Sequence, residues 1–145
     1  MALDISYIEH NRASLDRLCQ LADRLQDDDF HKPIGEHWTV GVVFAHIAFW
    51  DARVFAILDA TERENAVVIH PIDIIVNDLS LALWRAIPAR DAIQLAITTA
   101  EELDQRLETY PVELLEQIAD KNIRFIRRDY HRNAHLDEIE QALSM

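Results

Sequence analysis

The sequence predicts an all-α fold, a four-helix bundle with one long crossover. Three observations carry this. The 145 residues include only two glycines and four prolines, too few for the frequent turns of a sheet protein. Apolar residues recur at spacings of three, four and seven. About thirty residues separate the second and third long periodic segments, too many for a tight hairpin and enough to cross a bundle end. Length and an apolar half of the composition suit one domain, 1–145, with its own core.

Each element has a local reason. Residues 5–25 place Ile5, Ile8, Leu15, Leu18, Ala22 and Leu25 on one helical face, and Ser6 and Glu9 have the spacing of a capping box. The acidic run Gln26 to Asp29, followed by Pro33 and Gly35, marks a loop. Thr39 is placed to cap a second helix running to about Asp59, since its hydroxyl can accept an orphan backbone N–H. Trp38, just before it, is placed to staple onto Val43. Thr61 to Pro71 is a connection without period. Residues 73–86 read as a short helix ended by Pro88. A longer helix from about Arg90 to Glu108 stops before Pro111. A short one at 112–119 leads to the last, roughly 122–142.

Acidic residues number 26 against 14 basic, a net charge of -12. Such a field repels phosphate backbones, so nucleic acid is not an expected partner. No basic stretch followed by an apolar one opens the chain, and no apolar run approaches the ~20 residues of a membrane span. The lone Cys19 forms no internal disulfide and suits a reducing compartment. A cytoplasmic protein acting on a small molecule is expected.

The chemistry-bearing residues are histidines. His131 and His135 are four apart, so on a helix both rings leave one face and can share an ion at ~2.0–2.1 Å each. His46 lies in an apolar stripe with Val42, Val43, Trp50 and Ile57, and would point into the bundle. By itself such a histidine is a core residue bonded to a carbonyl. With a pair on a facing helix it becomes a candidate third ligand. His10, His31, His37 and His70 read as solvated. Neutral imidazoles are needed for binding, so affinity should fall as pH drops through ~6.5.

The segments WTVGVVFAHIAFWD (38–51) and YHRNAHLDEI (130–139) resemble the two signature stretches of the DinB/YfiT-like metalloenzymes. That superfamily includes mycothiol-dependent maleylpyruvate isomerases and bacillithiol S-transferases. The resemblance implies one metal-binding histidine on the second bundle helix and an H-x-x-x-H pair on the last, at His46, His131 and His135. It further implies a divalent metal (zinc, or else nickel or iron), a low-molecular-weight thiol activated for transfer or isomerisation, and a homodimer. It names no substrate, and a non-catalytic protein that sequesters a metal or small molecule stays open.

Arg124, Arg127 and Arg128 fall near the His131 face, one to two turns earlier on the expected last helix. Three guanidinium groups there would suit a carboxylate-bearing thiol or substrate, though each alone also reads as a solvated helix end. Trp50 is a candidate substrate-contacting wall. Glu138 is placed to orient a histidine from behind. Cys19, on the apolar side of the first helix, reads as a small core residue.

Overall fold

The computed structural model describes residues 3–145. It is mostly helical, with one two-stranded sheet. Helix α1 spans Tyr7–Arg24, later than its apolar pattern suggests. Ser6 makes no side-chain cap; its own N–H donates to Asp4 Oδ1 at 2.9 Å. The buried stripe is Tyr7, Asn11, Ser14, Leu18, Leu21 and Ala22, while Ile5 is 71% exposed. The face is rotated from the purely apolar one because Asn11 and Ser14 have partners inside.

The acidic run forms a 3-10 turn, Asp27–His31, closed by a capping box between Gln26 and Asp29. Two short strands follow, β1 (Pro33–Ile34) and β2 (Trp38–Thr39), paired antiparallel with Ile34 opposite Trp38. The turn between them needs Gly35, whose φ of 65° lies in the left-handed region.

Helix α2 runs Val40–Glu64, with Thr39 Oγ1 accepting from the Val42 N–H at 3.4 Å as expected of a cap. It extends past the expected end at Asp59, until Asn65 turns left-handed (φ 52°) and ends it. By length and composition α2 could cross a bilayer, which the apolar-run criterion did not anticipate. Packing accounts for that apolarity: α2 is enclosed by other helices and carries a buried His46 and Asp51.

The crossover contains two short helices, α3 (Val76–Leu79) and α4 (Leu81–Ala86), where one was expected. Helices α5 (Ala89–Thr109) and α6 (Val112–Lys121) follow close to expectation. The last helix does not start at 122. Asn122 is extended and caps a 3-10 turn, Ile123–Phe125, by accepting from the Arg124 N–H. Helix α7 begins only at Asp129 and ends at Leu143. Asn11 fixes the break: its Nδ2 donates to the Ile126 carbonyl at 2.8 Å, and its Oδ1 accepts from the Asp129 N–H at 3.1 Å.

Among the long helices, α2 packs on α5 and α7, and α1 packs on α5 and α7. The core has two apolar clusters. One holds Leu18, Val40, Val43, Phe44, Ile47, Ala96 and Leu136, and the other Tyr7, Val54, Leu58, Leu103 and Ile126. Along α1, α2 and α7, buried polar residues lie between them: Asn11 and Ser14, Asp51, and Asp129 and Arg132.

Candidate metal centre

Helix α2 delivers His46 to the interior, where it is 3% exposed. Four-residue spacing on α7 stacks His131 and His135 opposite it. His46 Nε2 lies 3.0 Å from His131 Nε2. Ring centroids are 4.9 Å apart for His46 and His131, 4.5 Å for His46 and His135, and 4.6 Å for His131 and His135. One potential ligand nitrogen from each ring can be chosen so that all lie within 4.8 Å of one another.

These groups fit a divalent cation. Two Nε2 atoms 3.0 Å apart cannot both present lone pairs unless a proton or a cation lies between them. A proton serves two rings; a divalent ion serves all three. Ligand nitrogens at ~2.0–2.1 Å from one ion are at most ~4.2 Å apart, so a modest ring rotation closes the set. Three donors leave a tetrahedral ion one open position.

The electrostatics favour neutral rings. Burial, with the neighbouring His135 and Arg128, pushes His46 down to about 3. Burial, with Arg128 and the other two imidazoles, pushes His131 down to about 2. His135 is also lowered by burial, against the pull of Glu138. Glu138 Oε1 stands 3.3 Å from His135 Nδ1, close enough to orient the ring but outside good hydrogen-bond geometry. The Nδ1 atoms of His46 and His131 are buried without a hydrogen-bond partner.

All three tryptophans of the chain surround the triad. Trp38, brought in by β2, lies tilted with its ring 4.6 Å from that of His46 and 6.1 Å from that of His135. Trp84 of α4 meets His46 edge-on at 5.4 Å, and Trp50 lies at 6.3 Å. Trp50 Nε1 donates to Asn77 Oδ1 at 2.9 Å, tying the crossover to α2 beside the site. Trp38 was expected to act as a helix staple; its place over two imidazoles was not legible without the hairpin.

The arginines do not form one row, because α7 starts after them. Arg128 is buried, its Nε donating to Asp51 Oδ1 at 2.8 Å. Arg127 grips Asp129 with two bonds of 2.8 and 2.9 Å and lies over Tyr130. Arg124 is exposed on the 3-10 turn, 5.6 Å over Tyr130. His10, His31, His37 and His70 are exposed. Cys19 is half-buried, and burial and nearby carboxylates raise its pKa, so its thiol stays protonated.

Sequence reasoning passed over Arg132, next to His131 and fully buried. Its Nε donates to Asp51 Oδ2 at 3.0 Å and its NH groups reach Asp104 at 2.9 and 3.0 Å, with Ser14 Oγ and the Asn11 carbonyl at 3.3 Å. The network therefore joins α1, α2, α5 and α7 beside the triad. Asp51, an acid in the apolar run after His46, was the available signal. Comparisons of the chain with protein families, curated proteins and solved structures found no match.

Proposed function

We propose that the chain is a metal-dependent enzyme of the DinB/YfiT-like kind, a four-helix bundle with a crossover between its second and third long helices. Its reaction is transfer or isomerisation with a low-molecular-weight thiol as co-substrate. The observation that carries the reading is the convergence of three imidazoles, His46 buried and His131 and His135 half-buried, each with one ring nitrogen within 4.8 Å of the others. A divalent ion, zinc by preference and nickel or iron as alternatives, would be held by His46, His131 and His135, and would lower the pKa of a thiol or water entering its open position.

The chain's own residues do the rest. Burial keeps the imidazoles unprotonated and ready as ligands. Trp38, Trp50 and Trp84 exclude water from one side and offer flat apolar surface to a substrate. Glu138 steadies His135. In a transfer, the thiol sulfur bonds to an electrophilic carbon as the leaving group departs with its electron pair, and the thiol proton passes to solvent. The protein works as a homodimer, which sedimentation would test.

The assay is zinc-loaded protein with a panel of small thiols and chlorodinitrobenzene, followed by absorbance. Turnover above the thiol background, abolished in His135→Ala, supports the enzyme. Stoichiometric metal binding without turnover across thiols and electrophiles favours the sequestering protein.

A further inference from the structure

The crossover has two opposite faces. Asn77 and Trp84, seven residues apart, turn inward: Asn77 Oδ1 accepts from Trp50 Nε1 at 2.9 Å, and Trp84 is buried against His46. Ile75, Leu79 and Leu83, each four residues after the last, turn the other way. Leu79 is 72% and Leu83 71% exposed, with Ile74 and Ile75 exposed beside them. Ser80, at the joint of α3 and α4, keeps near-helical dihedrals (φ -86°, ψ -9°). Its N–H donates to the Val76 carbonyl and its carbonyl accepts from the Trp84 N–H, both at 2.9 Å. The apolar stripe therefore continues from one short helix to the next.

Four of the ten large apolar side chains exposed among the described residues fall within positions 74–83. Together they offer on the order of 500 Å², near the upper limit of what a monomer leaves in water. With its flanks, such a face approaches the ~800 Å² per partner of a standard interface.

Charge selects the occupant. The chain carries -12, so a second copy is repelled from most of its surface. Residues 74–87 are different: they hold one acid, Asp78, one base, Arg85, and no net charge. These two are seven residues apart, so they share one flank of the stripe about 10.5 Å from each other along it, too far to pair within a chain. Among the described residues neither joins an ion pair, and Arg85 donates to the His37 carbonyl at 2.7 Å. Two copies related by a two-fold axis bring the same helix together antiparallel. Leu79 of each then meets Leu83 of the other. A flank keeps its side under that rotation, so Asp78 of each faces Arg85 of the other.

We infer that the outer face of α3 and α4 seats a second copy of this chain, the two crossovers packing antiparallel through Leu79 and Leu83 with Asp78–Arg85 pairs at the rim. The inference rests on the homodimer proposed above and adds its interface. It also ties assembly to the metal centre, because the segment that brings Asn77 and Trp84 to the triad is held between its own α2 and the partner.

The test is sedimentation velocity of the full-length chain across micromolar concentrations. Wild type should be a dimer. Leu79→Glu combined with Leu83→Glu should give a monomer of unchanged helical circular dichroism, with faster amide exchange in 75–86. Ile123→Glu, at an exposed apolar residue outside the stripe, should leave the dimer intact. Asp78→Arg and Arg85→Asp should each weaken association about tenfold, since each sets two like-charge pairs across the axis. The double charge variant restores opposite pairs and should recover most of that loss. A dimer that survives the two glutamates leaves the homodimer standing and overturns this interface. A monomeric wild type overturns both, and its flotation with neutral liposomes would assign the face to a membrane surface instead. Single charge variants that weaken the dimer without recovery in the double overturn the antiparallel pairing.

Discussion

Arg132 Nε lies 3.0 Å from Asp51 Oδ2, and both side chains are wholly buried. The pair links the residue after His131 to the residue five past His46, so it sets how α7 sits against α2. Asp51 also accepts from Arg128, and Arg132 also grips Asp104. Buried charges are costly unless paired and hydrogen-bonded, and here each guanidinium and carboxylate has its partner. The network therefore fixes helix register beside the triad, while the apolar clusters on either side supply most of the stability.

Replacing Arg132 by Met should leave Asp51 and Asp104 buried with lost partners. We expect a cost of about 3–5 kcal/mol, read as a shift of the urea midpoint with little change in slope. A loss below ~1 kcal/mol would mean that water reaches the carboxylates.

The histidines should make the metal-free protein acid-sensitive. Burial holds His46 down to about 3 and His131 down to about 2 in the folded chain, against ~6.5 unfolded. The unfolded chain binds those protons first, so stability rises with pH across this range. It should be fully present above ~6.5 and lost progressively as pH falls toward 3. Urea midpoints between pH 8 and 4 check this, and His131→Gln should flatten the slope. An equal slope in that variant would contradict the assignment.

The same burial alters the expected pH of metal loss. From unperturbed imidazoles, release is expected through ~6.5. In the folded chain the rings resist protonation far below that, so metal content and helical circular dichroism should fall at one pH. Metal lost near 6.5 from a fully helical protein would show that the rings are more hydrated than their burial indicates.

Trp50→Phe should keep the aromatic wall but remove the bond to Asn77. A cost of about 0.5–1.5 kcal/mol is expected, with faster amide exchange confined to α3 and its flanks. Exchange in α1 should not change.

The elements were legible where periodicity and punctuation agree. Thr39, Pro88 and Pro111 marked boundaries that the structure keeps within a residue or two. His46 and the pair on α7 were legible because four-residue spacing and an apolar stripe fix direction. The start of α7 was not, since residues 122–128 are helix-compatible locally and the break depends on Asn11, more than a hundred positions earlier. For the same reason the row of arginines dissolved, and the buried Arg132 went unseen. Polar residues that pair across helices leave no local pattern.

Three imidazoles are proposed to hold one divalent ion. Calorimetric titration of chelator-treated protein with Zn²⁺ tests it most directly. About one ion per chain is expected for the wild type, and an affinity weakened by at least ~100-fold in His46→Ala, His131→Ala and His135→Ala alike, each with an unchanged helical spectrum. Wild type that takes up no ion, or variants that all retain full affinity, would contradict it.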